Sequence, residues 1–224
     1  MPKFELVIAN KNYSSWSMRA WVLLRQAGIP FEEILLAFDQ DVNVIGIERY
    51  SAAGKVPVLL VDGQAVWDTL AIAETVAELF PDRQLWPQDP AARRLARSAC
   101  AEMHSGFQNL RSCMPMNIRA ALPGVGMNAD VQRDIDRIVA LWRQCFECRA
   151  GLGTGGALLF GTFTIADAFF APVAMRFTTH AVALPPDAQG YVSSLRALPA
   201  VQVWVAEARR DTRFVAGDEP YARK

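Results

Sequence analysis

Two short runs carry residue types that could do chemistry together: Lys55-Val56-Pro57-Val58-Leu59-Leu60-Val61 and Trp67-Asp68-Thr69-Leu70-Ala71-Ile72-Ala73. The first sets a proline at the mouth of an apolar strand. Lacking an amide hydrogen, proline belongs at strand starts, edges and turns. The second sets a carboxylate and a hydroxyl at the start of an amphipathic helix, where free N–H groups and the helix dipole favour an anion. Together they describe a site for a small zwitterion that carries a backbone-like amide. A third run, Tyr13-Ser14-Ser15-Trp16-Ser17-Met18-Arg19, brings hydroxyls to the approach of another helix.

These runs need elements to hold them. Residues 4–9 are strand-like and 10–17 a polar loop. Residues 18–27 read as a helix with Ala20, Leu23, Leu24 and Ala27 on one face, stopped by Gly28 and Pro30. Residues 31–37 are a second strand, 42–50 a short helical stretch and 51–54 a breaker. Residues 58–61 are a third strand, Asp62-Gly63 a tight turn, 65–67 a fourth strand and 69–80 a helix closed by Pro81. Strands separated by a helix are normally parallel, and a two-residue turn makes the last pair antiparallel. The order predicts a small mixed sheet flanked by helices, the thioredoxin-like pattern, over residues 1–81.

Residues 81–90 hold three prolines and read as a linker, with the boundary drawn at 82–90. Beyond it strand signals vanish. Helical patterns are expected over 91–122 with a break near Pro115, and over 130–149, 164–180, 192–198 and 201–209, so residues 91–224 form an all-helical domain. The expected fold class is α/β plus all-α.

Composition narrows the function. The 224 residues carry 23 basic and 23 acidic side chains, so charge points neither to nucleic acid nor to an anionic membrane surface. Apolar residues make up 52%, with six Trp and twelve Phe, which calls for a sizeable core or an apolar interface. No apolar run approaches the ~20 residues of a spanning helix. The N-terminal stretch lacks a secretory pattern, and the expected location is cytoplasmic. Cys145-Phe146-Glu147-Cys148 matches C-x-x-C but sits on a helical stretch, away from the position after the first strand that a redox pair needs. The cysteines read as helix thiols. With two histidines and no ligand spacing to a cysteine, no metal site is expected.

A thioredoxin-like domain of roughly 80 residues, a proline-rich linker and an all-helical domain form the layout of the soluble glutathione S-transferase family, which the whole chain resembles. Three patterns carry the resemblance: Lys55-Val56-Pro57-Val58-Leu59, Asp68-Thr69-Leu70-Ala71-Ile72, and Gly161-Thr162-Phe163-Thr164-Ile165-Ala166-Asp167. In the last, Thr164 can N-cap a helix while Asp167 returns a bond, a variant of the capping box, so its role is structural. Residues 13–19 look most like the serine-type branch, closest to the zeta class, whose Ser-Ser-Cys-x-x-Arg occupies the same place. Trp16 here replaces the cysteine. That class includes maleylacetoacetate isomerases.

The resemblance implies glutathione as co-substrate, held with its thiol ionised, and no metal. It implies a cis Val56-Pro57 bond that turns the Val56 backbone toward a peptide ligand. It places a thiolate-stabilising hydroxyl at Ser14, with Ser15 next and Tyr13 a rival, because other branches use a phenol. A free thiol has a pKa of ~8.5, and each unit of lowering needs ~1.4 kcal/mol, within reach of one hydrogen bond to a charge. Thr69 would receive the γ-glutamyl carboxylate, Asp68 the γ-glutamyl ammonium and Lys55 the glycyl carboxylate. Family members more often carry Glu-Ser or Gln-Ser where Asp68-Thr69 stands. The same serines, Asp68 and Thr69 also fit plain helix capping, and Lys55 a solvated loop.

The electrophile would sit between the domains against the long helix, lined by Trp16, Met103, His104, Phe107 and Arg111, with Leu110 and Met114 on the same stripe. An amphipathic stripe also fits core or dimer interface. Arg111 and Arg119 suit an anionic substrate or surface ion pairs, and His180 reads as structural. The leading expectation is a glutathione transferase or glutathione-dependent isomerase acting on a small hydrophobic electrophile, a detoxifying homodimer with neither nucleic acid nor membrane as partner. A glutathione-fold binding module with negligible turnover is the alternative from another class. A thiol-disulfide reductase or peroxidase would want a cysteine at Ser14 or Ser15.

Overall fold

The computed structural model describes residues 2–222. Strands β1 (Phe4–Ile8), β2 (Glu32–Leu35), β3 (Val58–Val61) and β4 (Gln64–Trp67) form one sheet in the order β2-β1-β3-β4. The β1–β2 pair is parallel, across helix α1 (Ser15–Gln26), while β1–β3 and β3–β4 are antiparallel. Alternation along β1 sends Phe4, Leu6 and Ile8 to the face covered by α1 and α2 (Thr69–Leu79), and Val7 to the opposite face with Val58 and Ile47. This is the thioredoxin-like arrangement expected.

The remainder is helical: α3 (Pro90–Ser105), α4 (Gln108–Cys113), α5 (Ala129–Gly151), α6 (Ile165–Thr179), α7 (Pro186–Ala197) and α8 (Pro199–Arg210). Helix α6 is apolar nearly all round and buried nearly all round, the pattern of a central core helix. It packs on α1, α3 and α7, so one apolar core runs through both domains. Trp142 of α5 sits at its centre, edge-on to Phe170, Phe177 and Tyr191 at 4.8–5.8 Å between ring centroids. The proline-rich connection is packed too: Leu85 and Trp86 are buried, and the Trp86 indole donates to Glu74.

Several boundaries differ from expectation, each for a local reason. Helix α1 starts at Ser15 and not Met18, because Ser14 is its N-cap and Ser15 to Ser17 are already helical. The polar stretch before it is buried, not looped into solvent. Asn12 donates to Asn117 Oδ1 at 2.8 Å and accepts from Arg119 N–H, while Asn10 accepts from Phe38 N–H. Residues 42–50 contain one 3-10 turn, Ile47–Arg49, and the bridge Phe38↔Val44, in place of a helix. Strand β2 is shorter than expected and α7 starts earlier. The long helix breaks first at Gly106, which was not expected, and α4 then ends at Cys113, two residues before Pro115, with no helix over 114–122. A Cβ on Gly106 would stand 2.8 Å from Glu102 O, and Phe107 takes φ 61, so the chain leaves α3 there.

A buried lysine ties the two domains. Lys11, 5% exposed, pairs with Glu33 of β2 at 2.6 Å and with Glu207 of α8. Its ammonium lies 4.9 and 5.5 Å from the Trp21 and Trp204 ring centroids. Lys11→Met keeps much of the packing but leaves two half-buried carboxylates facing each other. We expect a loss of about 2 kcal/mol, discounted from a fully buried pair because both glutamates reach water. Urea unfolding reads it, and an unchanged midpoint would remove the clamp.

Candidate active site

A cavity of about 570 Å³ opens between the sheet domain and the helices, within the usual range for small-molecule sites. Ser14, Ser15 and Trp16 reach it from the start of α1, Lys55, Val56 and Pro57 from the approach to β3, and Asp68 and Thr69 from the start of α2. His104 of α3 and Arg111 of α4 close the helical side. Two helix N-termini therefore face one cavity, which suits it to anionic groups. The Val56–Pro57 peptide is cis.

Each hydroxyl has a distinct environment. Ser14 caps α1, accepting from Ser17 N–H and donating to Ser17 Oγ at 2.7 Å, so its proton is engaged. Ser15 accepts from Arg176 Nη2 at 3.1 Å, and among the described residues its own proton has no acceptor, so it stands unspent beside a cation. Arg176 is buried in α6 and its other contacts are the carbonyls of Met114 and Arg111. Burial lowers its pKa to about 9, with Arg111 adding to the effect, and it remains a cation at neutral pH. The Tyr13 phenol lines the cavity too, but it donates to Glu219 and accepts from Arg119. Burial, reinforced by Glu219, pushes it up to about 12, far from a neutral-pH thiolate partner.

Asp68 is the N-cap of α2, accepting from Leu70 N–H at 2.8 Å. Its backbone sits at φ 74, ψ 135, a costly region for a non-glycine residue that persists where the surroundings enforce it. His104 Nε2 lies 3.1 Å from Asp68 Oδ2 and Nδ1 3.4 Å from Thr69 Oγ1. Donation from Nε2 to the carboxylate fixes the tautomer, leaving Nδ1 to accept from Thr69. Burial lowers the His104 pKa against the pull of Asp68, with Arg19 and Arg111 adding to the lowering. The ring thus braces the start of α2 from α3.

Trp16 stands among guanidinium groups, with Arg19 4.3 Å and Arg111 5.0 Å from its ring centroid and the His104 ring edge-on at 5.1 Å. Arg19 is buried, and its Nε and Nη1 have no hydrogen-bond partner among the described residues. Burial pushes its pKa well down.

Met103 and Phe107 do not reach the cavity. They are 2% and 7% exposed and belong to the core with Leu110 and Met114, because the apolar stripe of α3 and α4 turns inward. Arg119 is spent on the C-terminal tail, donating to the Asp211 and Arg213 carbonyls. His180 is buried with Nδ1 2.8 Å from Val125 O. Cys145 is buried and burial pushes its thiol up to about 12, as for an inert helix thiol. Sequence reasoning missed Arg176 and Asp218, which both line the cavity. Arg176 did leave a signal: a lone cation in the otherwise apolar run 168–177. Among the described residues no cluster of three or more His, Cys, Asp or Glu could hold a metal ion, and no helix is long and apolar enough to cross a membrane.

Residues 13–79 match the family model described as glutathione S-transferase, N-terminal domain. A probable maleylacetoacetate isomerase of Caenorhabditis elegans is 32% identical over 98 residues, 44% of this chain and 45% of that protein. The maleylacetoacetate isomerase of Rattus norvegicus is 31% identical over 102 residues, 44% and 47% of the two chains. The chain spans about half the length of these curated relatives. Among solved structures, a glutathione transferase homologue of Burkholderia gl BGR1 with bound glutathione superposes with a TM-score of 0.69 at 24% identity, covering 94% of this chain and 100% of that one. The glutathione-bound theta class enzyme of Xanthomonas axonopodis pv. citri gives 0.63 at 21% identity, covering 92% and 98%. Likeness at this identity is a likeness of fold, and the chain has the glutathione transferase fold over the 94% that superposes.

Proposed function

We propose that the protein binds glutathione, ionises its thiol and adds it to a small electrophile, because residues 13–79 match the glutathione S-transferase N-terminal domain and the chain has that fold over 94% of its length. One observation carries this: Lys55, Val56, Asp68, Thr69 and the two serines converge on a single cavity at two helix N-termini. Lys55 would hold the glycyl carboxylate. The start of α2 would receive the γ-glutamyl carboxylate and Asp68 the ammonium. The sulfur would lie at the start of α1, where the unspent proton and cationic neighbour of Ser15 favour it over Ser14 as donor. The serine stabilises a thiolate and is not itself a nucleophile.

Addition forms a C–S bond at the electrophilic carbon. Departure of a leaving group completes conjugation. For a conjugated alkene, rotation about the former double bond and expulsion of the thiolate completes an isomerisation. The relatives named maleylacetoacetate isomerases favour keeping the second course open. A homodimer, a cytoplasmic location and a detoxifying role belong to the same reading, and sedimentation velocity tests the first.

Titration of glutathione by calorimetry, with thiolate absorbance followed in parallel, is the deciding experiment. We expect saturable binding with a thiolate signal at neutral pH. Binding without thiolate would leave a glutathione-binding module. No binding would sink the reading.

A further inference from the structure

We propose that Asp218 sets the charge specificity of the electrophile half of the cavity, its carboxylate screening Arg176 so that neutral electrophiles are favoured over carboxylate-bearing ones. This rests on the glutathione reading above. Asp218 ends the 3-10 turn Ala216–Asp218 in the tail that follows α8. That turn is seated on the loop after β2. Ala216 N–H donates to Gln40 Oε1 at 3.0 Å and Gly217 N–H to Gln40 O at 2.9 Å, while Gln40 Nε2 donates to Phe214 O. Gly217 lies so close that a Cβ there would stand 2.6 Å from Val42 Cγ2. A second anchor follows at once, with Glu219 bound by the Tyr13 phenol and 3.6 Å from Arg119. The tail is thus held on both sides of Asp218.

Held there, Asp218 lines the cavity with Arg111 and Arg176, and among the described residues its side chain makes no hydrogen bond or ion pair. The two guanidiniums satisfy themselves on carbonyls and on Ser15, so none of their hydrogen bonds carries a compensating charge. Asp68, the other carboxylate of the lining, is occupied by His104 and Leu70. Asp218 is therefore the free anion that faces the cationic floor. Burial pushes its carboxyl up to about 6 while Arg176 pulls it back, so it is mostly ionised at neutral pH. An incoming carboxylate meets a screened cation and a like charge. With Asp218 neutral, the same carboxylate meets unscreened Arg176.

The test compares 4-chloro-3-nitrobenzamide with 4-chloro-3-nitrobenzoate. Both lose chloride as the glutathione sulfur bonds to the same ring carbon, and the thiol proton passes to solvent. The ratio of kcat/KM for benzoate over benzamide is measured in wild type, Asp218→Asn and Gln40→Ala. We expect Asp218→Asn to raise the ratio about tenfold, the scale of one unit charge acting across a partly solvated site. Gln40→Ala, which unseats the turn and leaves the carboxylate in the chain, should move it the same way by less. An unchanged ratio in Asp218→Asn, or a loss of glutathione affinity in place of a shift, would overturn the assignment. If wild type binds glutathione but turns over neither aryl chloride, calorimetry on the two S-aryl glutathione conjugates gives the same comparison as a ratio of Kd values, and an unchanged ratio is again fatal. Failure to bind glutathione at all would remove the underlying reading, and this inference with it.

Discussion

Ser15→Ala lowers kcat/KM for glutathione addition by about 10²–10³-fold, while Ser14→Ala lowers it by about tenfold or less. The larger figure is the usual loss on removing one preorganised donor from a developing or resident anion. Ionising a thiol of pKa ~8.5 near neutrality asks for about 2–3 kcal/mol of anion stabilisation. Two sources act at Ser15. It is the first residue of α1, where the dipole favours negative charge, and its oxygen accepts from Arg176, which polarises the O–H toward a sulfur. Ser14 donates to Ser17 and caps the helix, so its loss costs stability of ~1 kcal/mol before it costs rate. The pH profile separates the two. In Ser15→Ala the rising limb of kcat/KM moves up toward the free-thiol value, and in Ser14→Ala it stays near the wild-type position. The reverse pattern would move the sulfur to Ser14.

The site owes its character to cations brought in from distant parts of the chain. Arg176 reaches Ser15 across 161 positions. Arg111 folds back on the carbonyls of Met103 and Gly106 at the break between α3 and α4, and Arg19 lies under Trp16. None of these guanidiniums has a salt-bridge partner within 4 Å among the described residues. Burial accordingly lowers the pKa of all three. On the proposed reading, the Arg111 and Arg176 guanidiniums that line the cavity would stabilise a thiolate without either being salt-bridged to a carboxylate among the described residues. By the inference above, this lining also makes the charge of the firmly seated Asp218 consequential for what else can enter.

The parts legible in the sequence were those whose chemistry is local. A proline at a strand mouth, an acid and hydroxyl opening a helix, and a Thr-x-x-Asp box each act within four residues, and all appear in the structure with those local geometries. The fold followed from element order, because right-handed crossovers and short turns leave few alternatives. What stayed hidden was tertiary. Periodicity tells which face of α3 and α4 is apolar, but the stripe reads the same whether it lines a cavity or fills a core, and Met103 and Phe107 fill the core. The break at Gly106 was masked because one glycine is tolerated in a helical pattern, whereas Pro115 announces a break that Cys113 has already made. Asp218 has no local pattern at all. Its place comes from Gln40 and Val42, far away in sequence.

Asp167→Ala destabilises the protein by about 3–5 kcal/mol, the range for stripping a buried charged acceptor from its donors. Asp167 is fully buried in α6 and accepts from Thr164 N–H at 2.8 Å, Thr164 Oγ1 at 3.0 Å, Leu159 N–H at 3.2 Å and the Tyr191 hydroxyl at 3.0 Å. Alanine would orphan donors on three elements at once: the loop before α6, the start of α6 and α7. Even with those donors, burial pushes the carboxyl up to about 6. A carboxyl whose folded pKa exceeds its unfolded value of ~3.9 contributes stability that is fully present below pH ~4 and is lost as pH rises through about 6. A rise of that size corresponds to about 3 kcal/mol. Cys100, Cys145 and Tyr191 face the same carboxylate, and burial pushes each of them up, so none titrates in that window. Asp218 titrates there too, which makes the comparison with Asp167→Asn decisive, since Asp218 is common to both proteins. Urea unfolding between pH 4 and 7 should show the wild-type advantage over Asp167→Asn shrinking as pH rises, then levelling above about 6. A difference that does not vary with pH would mean the folded protein holds Asp167 ionised throughout, its donors outweighing burial.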